Sequence, residues 1–384
     1  MVTYRPLVAP ATTVPPTAPS ASPVPVPAPA AGGSPRVLRR PLGFPVGEGA
    51  PGPVAVVLAG LEDEAALGEV LDRLGAAGTA VRSSTPDRLD VALSRSTARF
   101  AASRPGAVLV RGGSVAALAG ALAAHTAGVP VVHLEAGLRS FDRRSPQEQR
   151  RVVLDQLATL CCAPTATAVA NLRAEGVADE RILRTGTTWT ETVRRSLPDA
   201  GAQEAVLAEL GAPPGHVLLA WDDAPGEQGP GVLEQVLSQL SALAGEGVPV
   251  VVHTGPRVLD AVRDRGAGDL LRGLTLVPPQ PVERFLALVR GARLVVSDSG
   301  DVQEAAAVLG RRLLAVRPAT ERPEGLGSSA VLVPGGVGLA AAVRSAPAGD
   351  PGAPGAPPGG PGPYGDGSAS RVVVESLVRL LAPS

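Results

Sequence analysis

Residues 131–151 read VVHLEAGLRSFDRRSPQEQRR: an apolar run ends on Glu135, a glycine turn follows, and Arg139, Arg143, Arg144, Arg150 and Arg151 crowd into the next turns. A carboxylate just past a buried strand is placed for general acid–base work, and arginines beside it suit an anion such as a phosphate. Structural alternatives stay open beside both readings. Glu135 can be salt-bridged to Arg139 or another nearby arginine, and the arginines can form a solvated helix face or a dimer edge.

A second stretch, VVSDSGDVQEAAAVLG at 295–310, has the order strand, Ser-Gly turn, helix. Free backbone N–H groups at a helix start, together with the helix dipole, form an anion site to which Ser299 adds a hydroxyl. The structural alternative is that Asp298 or Ser299 caps the helix. His253 closes another apolar run, a position where a histidine bonded to backbone is commoner than a catalytic one.

These residues need a scaffold, and the pattern around them alternates short apolar runs with longer amphipathic ones, as parallel strands covered by helices do. Strands are expected at 54–59, 107–111, 129–134, 216–221, 248–253, 274–277, 293–298 and 312–316, with helices at 146–160, 166–175, 231–244, 281–290 and 301–309. The fold class is therefore α/β, with two doubly wound domains dividing near residues 195–213. In such sheets ligands bind beyond the carboxyl ends of the strands, where Glu135 through Arg151 and Asp298 through Asp301 fall.

Composition narrows the chemistry. The sequence has no lysine, so its 35 Lys+Arg side chains are all arginine, which excludes Schiff-base chemistry and a P-loop lysine. A formal net charge of −1 gives no bulk attraction to nucleic acid or an anionic membrane. Cys161 and Cys162 are adjacent in what reads as an apolar helical context, and with four histidines they offer no zinc-ligand spacing. No metal or other cofactor is expected. The uncharged stretch from Gly112 to Leu134 is broken by His125, Gly128 and Pro130, so a buried helix and a buried strand fit it better than a membrane span. Prolines directly after Arg5 argue against a secretory signal, and a cytoplasmic protein is expected. Residues 1–52 and 346–362, rich in Pro, Ala, Gly and Ser, read as a disordered arm and a linker.

Taken together, HLEAGLRSFDRR (133–144), APT (163–165), NLRAEGV and RILRTGTT (171–188), SDSG and QE (297–304), TERPE (320–324) and PYGDG (363–367) resemble the non-hydrolysing UDP-N-acetylglucosamine 2-epimerase family. The resemblance runs in order over roughly residues 54–382. It implies the GT-B architecture, two Rossmann-like domains with a sugar nucleotide in the cleft between them, and a C-terminal helix crossing back to the first domain. It also implies a homodimer, and a reaction that eliminates UDP from UDP-N-acetylglucosamine and adds it back on the other face to give UDP-N-acetylmannosamine. That reaction needs a base for the C2 proton, an acid for the return face and stabilisation of the leaving diphosphate.

Set against the family pattern, the motifs retain Glu135 as base or acid and carry Glu148, Arg139, His253, Phe285, Ser299, Gly300, Gln303, Glu304, Thr320, Glu321 and Arg322 as matching positions. They also depart from it. Gln147 stands where the family has a catalytic glutamate, and an amide exchanges no proton at neutral pH. Gly113 replaces an aspartate, Trp221 a histidine, and Asp222 and Asp223 follow where arginines are usual. Glu62 replaces a phosphate-binding arginine, Asp301 the second glycine of the helix start, and Ala305 a ribose-binding glutamate. A like charge a few ångströms from a phosphate costs roughly 1 to 4 kcal/mol at surface-like dielectric. One strand and helix of the first domain also look absent between Gly60 and Pro86, which leaves a reduced sheet.

The expected layout is a disordered arm at 1–52, a shortened N-terminal Rossmann-like domain at 53–199, a nucleotide-binding Rossmann-like domain at 200–345, a linker at 346–362 and a crossover helix at 363–384. The expected function is that of an epimerase-family protein with impaired or lost catalysis that engages a UDP-sugar weakly. The alternative is a non-catalytic partner or scaffold in a glycan or natural-product pathway. Expected partners are a second copy or an intact family member, and neither nucleic acid nor membrane.

Overall fold

The computed structural model describes residues 52–82, 88–221, 231–346 and 362–382. The arm at 1–51, most of the linker at 346–362, and Asp222 with Asp223 lie outside the described residues.

The first lobe is a sheet of six parallel strands in the order β2-β1-β3-β4-β5-β6. The strands are β1 (Val54–Leu58), β2 (Gly78–Arg82), β3 (Ala107–Arg111), β4 (Val131–Leu134), β5 (Leu160–Ala163) and β6 (Ile182–Arg184). Its helices are α1 (Leu61–Leu74), α2 (Leu89–Ser103), α3 (Val115–Thr126), α4 (Pro146–Leu157), α5 (Ala166–Ala174) and α6 (Thr188–Arg195). β1, β3, β4 and β5 are buried along their whole length, as strands covered by helices on both faces must be.

The second lobe repeats the plan, with strand order β12-β11-β10-β7-β8-β9 and every pairing parallel. It comprises β7 (Val217–Ala220), β8 (Val250–His253), β9 (Thr275–Val277), β10 (Leu294–Ser297), β11 (Leu313–Ala315) and β12 (Ala330–Leu332). Helices α7 (Ala200–Glu209), α8 (Val232–Gly245), α9 (Pro256–Asp264), α10 (Val282–Gly291), α11 (Gly300–Val308) and α12 (Leu339–Ser345) cover it. α13 (Ala369–Leu381) returns to pack on α1 and α6.

Local chemistry fixes where the helices start. Ser114, Ser145, Thr165, Thr187 and Asp199 each accept a backbone N–H of the first turn and so satisfy a donor that the helix leaves open. Thr165 of the APT motif and Thr187 of the GTT motif are thus helix caps. α6 joins the lobes, packing on α1 of the first and on α11 of the second.

The described strands overturn the helical reading of Cys161 and Cys162. The helix expected at 146–160 stops at Leu157, and Cys161 and Cys162 lie on β5, not on a helix. Both are buried, and burial pushes the Cys161 thiol up to about 12. The first sheet has six described strands, as many as the second.

Candidate active-site cleft

Each sheet changes the direction of its strand order at one point, between β1 and β3 in the first lobe and between β7 and β10 in the second. Crevices open beyond the carboxyl ends of strands at such points. The first turn of α1 after β1 supplies Asp63, the end of β3 supplies Arg111 and the turn after β4 supplies Glu135, while Ser299 and the first turn of α11 with Gly300 and Asp301 follow β10.

Arg111, the last residue of β3, is the centre of the cluster. Its Nε donates to Glu135 Oε1 at 2.6 Å, Nη1 to Asp63 Oδ1 at 3.1 Å, and Nη2 to both oxygens of Asp301 at 2.7 and 2.8 Å. Arg322 answers from the second lobe. It reaches Glu135 Oε2 at 3.3 Å, Asp301 Oδ1 at 2.8 Å, Glu304 Oε2 at 3.3 Å and Glu321 Oε1 at 2.6 Å. Arg151 Nη2 and Arg317 Nη1 stand 3.6 and 2.9 Å from the Glu321 carboxylate. Asp63, Glu135, Asp301, Glu304 and Glu321 therefore face Arg111, Arg151, Arg317 and Arg322, nearly balanced in charge. The acidic positions leave no bare negative surface here.

Glu135 does pair with arginine, but with Arg111 and Arg322 and not with Arg139. Its backbone is left-handed, φ 62°, so the EAG turn aims the carboxylate into the cleft. Arg139 points the other way, donating to Asp155 Oδ2 at 2.6 Å and to Glu175 at 2.8 and 2.6 Å. Asp155 also receives Gly137 N at 3.0 Å and lies 2.7 Å from His133 Nδ1, so this buried set holds the turn from behind. The five arginines divide accordingly. Arg139 and Arg151 are buried, Arg150 is half-buried with its Nε donating to the Gly113 carbonyl at 2.6 Å, and Arg143 and Arg144 are exposed.

Desolvation raises the pKa of a buried carboxyl, and a neighbouring guanidinium lowers it. Burial dominates at Glu304, which is pushed up to about 7 against the pull of Arg322. At Asp301 burial is outweighed by Arg111 and Arg322, and the carboxyl is held below its ordinary value. At Glu321 burial is likewise outweighed, by Arg317, Arg151 and Arg322. Asp63 goes up, burial exceeding the effect of Arg111.

The remaining residues singled out in the sequence divide between the cluster and its surroundings. Glu148 accepts Ser140 N at 2.9 Å, Ser140 Oγ at 3.0 Å and Phe141 N at 3.0 Å, which fastens the loop before α4. Gln147 lies against Gly113, where an added Cβ would stand 2.8 Å from the Gln147 carbonyl oxygen and 3.0 Å from Arg151 Cγ. Ser299 is the residue before α11, but its side chain makes no capping bond. Glu304 receives the hydroxyls of Thr187 and Thr190, the first of them in a very short contact. Gln303 bonds Thr320 Oγ1 and the Arg322 carbonyl, fixing the TERPE turn against α11.

His253, Phe285 and Trp221 are grouped separately, at the ends of β8 and β7 and on α10. The His253 ring accepts Gln280 N at 3.2 Å and its centroid lies 5.0 Å from that of Phe285. Burial lowers its pKa to about 4, so it is a neutral acceptor. Trp221 is half-buried, and its backbone N–H donates to the His253 carbonyl at 3.1 Å. Glu62 is exposed on the first turn of α1.

Arg111, Arg317, Thr187, Thr190 and Trp189, whose Nε1 donates to the Asp301 carbonyl at 2.9 Å, belong to the cleft and were not legible as site residues. For Arg111 the available signal was a charged residue closing a wholly apolar strand. Among the described residues no cluster of side chains could hold a metal ion, and no helix is long and apolar enough to cross a membrane.

Two parallel six-stranded Rossmann-like lobes, with their strand ends converging on one charged cleft, define a GT-B fold. A Methanocaldococcus jannaschii UDP-GlcNAc 2-epimerase, solved in complex with UDP-GlcNAc and UDP, superposes with a TM-score of 0.75 at 23% identity, over 85% of this chain and 99% of that one. In sequence, residues 80–378 match the family model for UDP-N-acetylglucosamine 2-epimerase, and the chain belongs to that family. Its relatives include a probable UDP-N-acetylglucosamine 2-epimerase of Ralstonia solanacearum, 34% identical over 71% of this chain and 76% of the relative. A UDP-N-acetylglucosamine 2-epimerase of Methanococcus maripaludis is 32% identical over 58% of this chain, and the match spans 63% of that relative's length.

Proposed function

We propose that this protein is an epimerase-family member whose cleft is still that of a UDP-sugar protein but whose proton-transfer chemistry is impaired or lost. The observation that carries this reading is the packing of Gly113 against the Gln147 carbonyl. By family resemblance these two positions hold an aspartate and a glutamate. Here one has no side chain, with backbone filling the space, and the other is an amide that cannot exchange a proton. Glu135, the surviving candidate base, has both oxygens engaged by Arg111 and Arg322. Loss of one general acid or base costs about two to four orders of magnitude in rate.

The M. jannaschii structure with UDP-GlcNAc and UDP supports a UDP-sugar as the ligand class. As partners we propose a second copy or an intact family member, in the cytoplasm, with the proline-rich residues 1–52 as a recruiting segment. The test is product formation. Micromolar protein with UDP-N-acetylglucosamine, followed by proton NMR, is expected to give UDP-N-acetylmannosamine at least about a hundredfold more slowly than the roughly 10 turnovers per second of a median enzyme. Interconversion near that median rate would overturn the proposal.

A further inference from the structure

Asp301 occupies the first turn of α11, where the helix dipole favours a negative charge. Its carboxylate is held from two sides, by Arg111 of the first lobe at 2.7 and 2.8 Å and by Arg322 of the second at 2.8 Å. Two guanidiniums and a helix start are together the surroundings that a phosphate group seeks. Here the chain supplies the anion itself.

We infer that Asp301 is an internal anion that locks the cleft: it fills the position between Arg111, Arg322 and the α11 N-terminus and holds the lobes together against entry of a diphosphate. The inference rests on reading the cleft as that of a UDP-sugar protein.

Three further features close the same place. Arg111 is enclosed by Asp63 and Glu135 on its own lobe and by Asp301 across the cleft, so each of its three guanidinium nitrogens is engaged by a carboxylate of the chain itself. Gly300 has no side chain, and a Cβ there would overlap Arg322 Nη1 and Glu321 Oε1, so the chain's own charged groups lie against the helix start. Trp189 Nε1 holds the Asp301 carbonyl at 2.9 Å and Thr192 Oγ1 holds the Ala65 carbonyl at 2.9 Å, so α6 ties both lobes beside the pair. An entering diphosphate has to displace a charge-assisted pair and stand beside the carboxylate it displaced, and both effects weaken binding.

The test uses the full chain, with UDP and inorganic pyrophosphate as probes in calorimetric titration and thermal melting. Asp301→Asn and Asp301→Gly are expected to bind pyrophosphate and UDP at least about tenfold more tightly than the unaltered chain, with a gain that shrinks as salt rises. Asp301→Glu, which keeps the charge, is expected to bind as weakly as the unaltered chain. Where a variant melts too low to titrate, a pyrophosphate-dependent rise in melting temperature absent from the unaltered chain gives the same support. Equal affinity in the unaltered chain and the Asn and Gly variants overturns the lock, as does the absence of any such rise. An unaltered chain that turns over its sugar while the variants still bind tenfold tighter sinks the loss of catalysis and leaves the lock standing; an inert chain with no gain in the variants does the opposite.

Discussion

Nη2 of Arg111, at the end of β3, lies 2.7 and 2.8 Å from the two carboxylate oxygens of Asp301, in the first turn of α11, so the two lobes meet through a partly buried ion pair. Around that pair each charge depends on more than one partner, which makes single substitutions informative.

Arg322→Ala removes the cation shared by Glu135, Asp301, Glu304 and Glu321, from a side chain only 3% exposed. Leaving buried charges unpaired costs roughly 3 to 5 kcal/mol. Urea unfolding should show a loss of that size, and a loss below about 1 kcal/mol would mean that water already enters the cluster.

Gly113→Asp tests the packing at a position where the family resemblance implies an aspartate. Its Cβ would meet the Gln147 carbonyl oxygen at 2.8 Å and Arg151 Cγ at 3.0 Å, and overpacking of this kind costs about 1 to 3 kcal/mol. The expected result is a lower melting temperature with no epimerisation, even with Gln147→Glu alongside. A stable double variant that epimerises would show that the backbone yields easily.

Stability should depend on pH through two groups of opposite sign. Glu304 titrates at about 7 in the fold against an ordinary 4.5, so the native state holds its proton longer; the contribution is full below 4.5 and is lost as pH rises through about 7. His253 titrates at about 4 against 6.5, and its contribution is present above 6.5 and lost as pH falls through about 4. Glu304→Gln should therefore gain on the unaltered chain between pH 4.5 and 7, and His253→Gln should gain on it as pH falls below 6.5. Urea midpoints that run parallel for chain and variant across these windows would contradict the assignments.

Tyr364 anchors the return of the chain before α13, buried to 1% exposure, while its backbone carbonyl accepts Thr187 N at 2.9 Å. Truncating a large buried aromatic costs about 3 to 5 kcal/mol. Tyr364→Ala should lose that much, whereas Tyr364→Phe, giving up only a 3.4 Å bond to the Arg322 carbonyl, should lose less than about 1.5 kcal/mol. Equal losses would place the anchor in the hydroxyl.

Much of the fold was legible because buried parallel strands are written as uninterrupted apolar runs. β1, β3, β4 and β7 through β11 stand within two residues of where those runs place them. β5 was not, because LCCA follows α4 after only Ala158 and Thr159, with no glycine or proline to break an apolar pattern that suits helix and strand alike. β2, β6 and β12 are sheet edges of three to five residues, with partly exposed faces and little apolar signal. In the cleft, Glu135 and the Ser299–Asp301 turn were legible as the ends of such runs. Their partners were not: Arg111 and Asp301 are 190 residues apart, and nothing local selects Arg111 over Arg139 for Glu135.

The most direct measurement of the central claim is deuterium uptake at C2 of UDP-N-acetylglucosamine in heavy water, because it reports proton abstraction even where no product accumulates. Uptake at least about a hundredfold slower than the roughly 10 events per second of a median enzyme, down to that of a protein-free control, is the predicted result. Complete exchange within minutes at micromolar protein would contradict it and return Glu135 to service as a working base.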